Sequence, residues 1–296
     1  MTDNKLILVT GATGRQGGAT ARALRQRGYR VRALTRDASK PEAETLRAEG
    51  IDTVEGDLND PSSVRPHLTG VDCVFAALNF WEAGYDGEVR QGRGLIDSAQ
   101  AANVSHFVYS SVASADRNTG IPHFDSKWEI ERHLQESELP YTVLRPTSFM
   151  DDWEDERASI AQGVIALPLD PKVPLQQIAV ADIAAFAAMA FEHPSDWIGR
   201  SIDLAGDDLP MLQVAEVFAK VTGRAVRYER TSWEDSRKQF GDDLTTMFRF
   251  YDDTGTSADI PALRRLHPNL KNLQQYLIST DWDDLSPNVG SEGVAS

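Results

Sequence analysis

Apolar and polar positions in the first half of the chain follow two alternating rhythms. Short, nearly continuous apolar runs read as strands: "KLILVT" (5–10), "RVRALT" (30–35), "IDTVEGD" (51–57), "VDCVFAAL" (71–78), "SHFVYSS" (105–111) and "YTVLRP" (141–146). Amphipathic stretches such as "RQGGATARALRQRG" and "GEVRQGRGLIDSAQAAN" lie between them, the second placing Val89, Leu95, Ile96 and Ala99 at roughly helical spacing. Strand and helix alternating at this length predict right-handed βαβ units and a parallel sheet. Because the strands are apolar nearly throughout, both faces of that sheet should be covered.

After Pro146 the rhythm becomes irregular. A helix is expected over 180–194, a strand over 200–206 and a helix over 211–223, then a short strand in "AVRYER" and a mostly helical stretch over 232–255. There is no internal repeat and no low-complexity linker. The pattern predicts an α/β fold: a Rossmann-type doubly wound parallel sheet with a smaller C-terminal α/β substrate lobe. A dinucleotide-binding domain over 1–150 would also receive 178–206. A discontinuous lobe for substrate or partner would occupy 151–282, and the polar, small-residue stretch 283–296 would form a flexible tail.

Composition narrows the partners. The 296 residues can bury a sizeable core, and 25% charged residues is ordinary for a globular enzyme. A net charge of -15 argues against direct binding to nucleic acid or anionic lipid, since like charges repel. The single cysteine, Cys73, lies in an apolar run and reads as a buried strand thiol. The N-terminus has no signal-peptide layout and no apolar stretch reaches membrane-spanning length, so a cytoplasmic protein is expected. The six histidines are scattered without ligand spacing, so no metal is expected. There is also no G-x-S-x-G elbow to support a nucleophilic hydrolase.

Directly after the first strand, "VTGATGRQGGATARAL" brings Gly11, Gly14 and Gly17 in G-x-x-G-x-x-G spacing and opens a helix. Glycine lets the backbone turn tightly and approach a pyrophosphate, which then rests on the helix N-terminus. The second strand ends "ALTRDASK", with Arg36 where NAD-preferring folds carry an acid, Asp37 one step later and Lys40 nearby. These cations, with Arg15 in the glycine loop, suit a 2′-phosphate and point to NADP(H). The alternative is that they are solvated surface.

The glycine spacing resembles the short-chain dehydrogenase/reductase superfamily. Further motifs resemble its atypical NmrA-like branch: "GATGRQGG", "LTRD", "EGDLND", "ALNFWE", "VYSS", "HFDSKWEIERHLQES", "YTVLRPTSFMDDW" and "MFRFYDDTG". The match runs in order over roughly residues 5 to 280. The resemblance implies that Gly11, Thr13, Gly14, Arg15, Gln16 and Gly17 wrap the pyrophosphate, and that Arg36 and Lys40 hold the 2′-phosphate. Asp57 and Leu58 would flank the adenine, and Ala77, Leu78 and Asn79 would line the path to the nicotinamide. Lys127 would bond the nicotinamide ribose, while Pro146, Thr147 and Phe149 would cover the ring.

One departure concerns the proton donor. The superfamily carries a tyrosine four residues before the lysine; here that position is His123. Histidine can also donate near neutral pH. On one helix His123 and Lys127 would share a face, whereas "SKWE" as a capping box on Ser126 would leave His123 in a loop. Ser111, and Ser110 beside it, end the fifth strand, where this fold places its ligands. Asn79, Phe80, Trp81, Phe124, Phe149 and Trp153 are candidates for an aromatic pocket floor, or else for core packing. Two functions follow: an NADPH-dependent reductase of a small hydrophobic or aromatic acceptor such as a quinone or enone, or a non-catalytic NADP(H) redox sensor acting through a protein partner. Either would be a monomer or homodimer.

Overall fold

The computed structural model describes residues 5–283, so most of the expected tail lies outside the described residues. The first half runs β1 (Leu6–Val9), α1 (Arg15–Gln26), β2 (Arg30–Thr35), α2 (Pro41–Ala48), β3 (Asp52–Glu55), α3 (Pro61–Val64), β4 (Cys73–Ala76), α4 (Phe80–Ala101), β5 (His106–Ser110), α5 (Pro122–Glu136) and β6 (Tyr141–Pro146). The chain continues through β7 (Ser148–Phe149), α6 (Arg157–Ala161), β8 (Val164–Leu167), β9 (Pro174–Ile178), α7 (Val180–Glu192), α8 (Pro194–Trp197) and β10 (Arg200–Leu204). It ends with β11 (Asp207–Pro210), α9 (Met211–Thr222), β12 (Arg227–Arg230), α10 (Trp233–Asp253), α11 (Ile260–Leu266) and α12 (Leu273–Ser279).

Seven strands form one sheet in the order β10-β6-β5-β4-β1-β2-β3, with every pairing parallel. This is the Rossmann-type doubly wound arrangement. The strand order reverses between β1 and β4, and ligands of such sheets bind in the crevice that the reversal opens at the carboxyl ends.

The period-two alternation of side chains explains why both faces need cover. In β1, Ile7 and Val9 join the core under α1 and α7, while Leu6 and Leu8 join the core under α4 and α5. Helix α1 buries Gly17, Ala21 and Leu24, four and then three apart, and lies on α7, whose buried face is mostly alanine and phenylalanine. Small residues let those two helices approach closely. Gly92 does the same between α4 and α5, where a Cβ would stand 2.7 Å from Ile130.

The remaining elements build a second cluster. Strands β11-β9-β7 form a three-stranded sheet and β12-β8 a two-stranded one, covered in part by α9, α10 and α12. At its centre Phe218 meets Trp153 and Trp282 edge-on, with ring centroids 5.4 and 5.0 Å away. The Trp153 indole donates to Gln177 at 2.6 Å. Trp153 therefore packs in this second core, where its one polar atom is used.

Two sequence expectations need correction. The run 71–78 supplies only β4, because Ala77 leaves the ladder and pairs both its backbone groups with the Thr10 hydroxyl. Helix α4 begins at Phe80, capped by Asn79, and is broken at Gly84 (φ 66°, ψ 178°), a conformation that favours glycine. The stretch 232–255 is mostly helical as expected, forming α10 with one break at Gly241 (φ 81°, ψ 179°). Among the described residues, no helix is long and apolar enough to cross a membrane, and no three His, Cys, Asp or Glu side chains gather as a metal site.

His106 on β5 gives the fold a pH dependence. The Thr142 hydroxyl donates its one proton to the Trp197 carbonyl, so Nε2 of His106 donates to Thr142 at 2.8 Å. Nδ1 then carries a buried lone pair with no partner, and burial depresses the imidazole to about 4. The unfolded chain accepts a proton near 6.5 that the folded chain refuses until about 4, so stability should fall as pH drops through that window. The loss expected is about 3 kcal/mol at 1.36 kcal/mol per unit. Urea unfolding of the wild type and His106→Gln between these pH values checks it; parallel curves would refute the assignment.

Candidate functional site

The loop between β1 and α1 is held tightly. The Thr10 hydroxyl donates to the Ala77 carbonyl at 2.8 Å and accepts from the Ala77 amide at 3.0 Å, tying it to the loop after β4. Gly11 has φ +62°, and a Cβ there would lie 3.0 Å from the Ala77 carbonyl. A Cβ on Gly17 would lie 2.3 Å from the Gly11 carbonyl, so only glycine allows the helix to start this close. Gly14 is the N-cap of α1, with no side-chain cap and no acid in the first turn. Uncapped amides at the positive end of a 12-residue helix form a cradle suited to a phosphate anion. Gly11, Thr13, Gly14 and Arg15 are exposed there, Gln16 half-buried and Gly17 buried.

At the end of β2, Arg36 is exposed and pairs with Glu82 at 2.6 Å, and Lys40 stands exposed before α2. The Asp37 carboxylate turns back to accept from the Ser39 amide at 2.8 Å and hydroxyl at 2.6 Å, which holds it below the usual range. It is therefore committed to its own loop and leaves the cations to face outward. Arg15 reaches Asp152 at 3.0 Å and Asp155 at 2.7 Å, bridging the glycine loop to the stretch after β7. Asp57 accepts from the Asn59 amide at 2.9 Å, and Leu58 packs on the α4–α5 side of the sheet. Ala77, Leu78 and Asn79 are half-buried, and the Asn79 side chain accepts from the Trp81 amide at 3.0 Å.

Helix α5 starts at Pro122, so His123 and Lys127 do lie on one helix. The capping box on Ser126 does not form. Its hydroxyl is buried in the helix interior and donates to Glu88 at 2.5 Å. The other oxygen of Glu88 accepts from Lys127 Nζ at 2.5 Å, and Glu88 is fully buried. Of the three ammonium donors of Lys127, one is committed to Glu88, which leaves two for a ligand. His123 donates from Nδ1 to Asp243, and its backbone N–H donates to the other Asp243 oxygen at 3.2 Å. Phe124, Trp81 and Phe80 surround the imidazole at centroid distances of 4.8, 5.2 and 5.7 Å. Partial burial pushes the neighbouring Asp125 carboxyl up, and the Asp243 charge adds to this.

Around the carboxyl end of β5, Ser110 and Ser111 are buried. The Ser111 hydroxyl stands beside Glu131 without a well-formed hydrogen bond. Tyr109 is buried between the charges of Glu88 and Glu131, and burial pushes its phenol well up. Arg145 on β6 grips Glu131 at 2.7 Å and Asp116 at 2.7 Å. Burial works against the guanidinium charge there, but these acids outweigh it and hold Arg145 above its usual range. Pro146 and Thr147 are buried, the Thr147 hydroxyl donating to the Leu204 carbonyl at 3.0 Å, and Phe149 packs against the α1–α7 core.

Sequence reading missed Glu88 and Asp243. Glu88 left a signal, since it falls on the buried stripe of α4 with Gly92, Leu95, Ile96 and Ala99. Asp243 left none.

The fold and its glycine cradle define a Rossmann-type α/β protein with a dinucleotide-type loop at the switch point. The chain belongs to the NmrA-like family, whose profile matches residues 3–283. It is 31% identical over 238 residues to an NAD(P)H azoreductase of Xenophilus azovorans, covering 79% of each chain. An NADPH-dependent quinone oxidoreductase of Escherichia coli, solved with NADPH, superposes with a TM-score of 0.80 at 25% identity, covering 93% of this chain and 99% of that one. The fold is also that of a negative transcriptional regulator solved with NADP, with a TM-score of 0.75 at 20% identity over 95% of this chain and 99% of the other.

Proposed function

We propose that this protein is an NADPH-dependent reductase of a small hydrophobic or aromatic acceptor such as a quinone or enone. The observation that carries the reading is the His123 imidazole, set among Phe80, Trp81 and Phe124 and four residues before Lys127 on α5. The azoreductase and quinone oxidoreductase relatives support the same class. Bound NADPH would supply a hydride. The α1 N-terminus with Gly11, Thr13 and Gly14 would hold its pyrophosphate, and Arg36 and Lys40 its 2′-phosphate. The two free donors of Lys127 would bond the ribose, His123 would protonate the reduced acceptor, and the lobe over 151–282 would complete the pocket. Loss of NADPH absorbance over a panel of quinones, enones and azo dyes tests this, with turnover of about one per second or more expected. No turnover with any of them would refute it.

The cofactor preference is a separate prediction. NADPH should bind at least about tenfold tighter than NADH, a difference of about 1.4 kcal/mol. The margin is held down because a 2′-phosphate must compete with Glu82 for Arg36. Calorimetric titration checks it: Arg36→Ala should shrink the preference and leave NADH affinity nearly unchanged, and equal affinities in the wild type would refute the phosphate pocket.

A second reading has one observation in its favour. The Arg15 bridge to Asp152 and Asp155 couples the glycine loop to the stretch leading into the lobe, so cofactor binding that broke it would be felt there. That is what a redox sensor reporting to a protein partner requires.

A further inference from the structure

We propose that Asp243 is the positioning residue of the reductive site: it binds the Nδ1–H of the His123 ring, so that in the imidazolium form the Nε2 proton is the one delivered to the acceptor. This rests on the reductase reading above. An ionised carboxylate can only accept hydrogen bonds, so Nδ1 must be the donor in the contact with Asp243. The second oxygen takes the His123 backbone N–H at 3.2 Å, an amide of the first turn of α5 that has no partner within its own helix. One carboxylate thus fixes both the ring and the backbone that carries it. The pair is shielded, with side-chain exposures of 10% for His123 and 17% for Asp243, so the orientation is not easily exchanged for water. Phe124 meets the imidazole edge-on at 87°, which restricts its rotation. Nε2 makes no hydrogen bond to any described residue.

The placement of Asp243 follows from the break in α10. Gly241 adopts φ 81°, ψ 179°, so the helix restarts just before Asp243 and aims its first-turn carboxylate at α5. The other charges nearby do not compete for Nδ1. Asp125 lies on α5 itself, Lys127 is paired with Glu88, and the α4 residues touching the imidazole are Phe80 and Trp81.

In the step itself, bound NADPH would supply the acceptor with a hydride and its two electrons and would be oxidised to NADP+. The acceptor oxygen takes up the electron pair released by its π bond. The donor is the imidazolium form of His123: its Nε2–H bond breaks and an O–H bond forms, leaving neutral imidazole with its remaining proton on Nδ1, where Asp243 holds it. Solvent then returns a proton to Nε2.

The test is Asp243→Asn, read two ways. In ligand-free protein, 15N spectra of the neutral His123 imidazole should show Nδ1–H in the wild type and loss of that preference in the variant. With NADPH and a quinone, kcat should fall about ten- to a hundredfold, part of what a general acid contributes, while the KM for NADPH stays within about twofold. Should the asparagine variant fail to fold, Asp243→Glu keeps the charge and should show the same split between kcat and KM. An unchanged tautomer, or unchanged kcat with only a lower melting temperature, would overturn the proposal and make Asp243 a helix cap alone. Wild type without turnover, but with the expected tautomer shift, would refute the reductase reading instead.

Discussion

Replacing His123 with phenylalanine should leave NADPH affinity within about twofold and lower turnover about 10²-fold or more, the usual size of a lost general acid. Phenylalanine suits the aromatic surroundings of this position, so the change removes the proposed proton donor with little loss of packing. Lys127→Ala should differ in kind. It would remove the charge-assisted hydrogen bond proposed to the cofactor ribose, worth about 1.5–3 kcal/mol. It also strands the fully buried Glu88, and an uncompensated buried charge costs about 3–5 kcal/mol of stability. Lys127→Ala should therefore weaken NADPH binding and melt early, whereas His123→Phe should leave binding intact and lose less stability, because Asp243 keeps its backbone partner and some contact with solvent. Titration calorimetry, steady-state rates and thermal unfolding of both variants decide the matter. Full reductase activity in His123→Phe would pass the role of donor to water or to Ser111.

Arg145→Met should destabilise the fold by about 3–5 kcal/mol, because Glu131 would then be left charged in a site with no solvent. The guanidinium binds Glu131 through both Nε and Nη2 and Asp116 through Nη1, so no nearby group replaces it. The double variant Arg145→Met with Glu131→Leu should recover most of the loss, since apolar residues of similar volume often substitute for a buried ion pair without penalty. Urea unfolding of the two single variants and the double closes a cycle whose coupling term measures the pair. A single variant that loses less than about 1 kcal/mol would show that Arg145 is solvated in solution, as exposed pairs of that strength are.

How much of this was legible in the chain depended on the range of the interaction concerned. Strands β1 to β6 and helices α1, α7 and α9 could be read from pattern, because burial of one stripe or both faces repeats every two or 3.6 residues and needs no distant partner to be recognised. The glycine loop was legible for a similar reason: its tight turn, its approach to Ala77 and its opening of α1 all follow from missing side chains at fixed spacing. The membership in the NmrA-like family likewise rests on motifs read in order along the chain.

Other features had no local signature. Short strands such as β7, β9 and β11 pair only with one another across gaps in the chain, and their sequences alone carry too little alternation to stand out. The helix start at α5 was set by packing rather than by a side-chain cap, which is why Ser126 faces Glu88 instead of closing a turn. The sequence by itself determined the doubly wound sheet, the glycine cradle and the histidine–lysine spacing, all products of short-range geometry. Tertiary structure alone decided that Lys127 answers to Glu88, 39 residues away, and His123 to Asp243, 120 residues away. Hydrogen bonds act over about 3 Å, and only the packed chain determines which distant residues come that close.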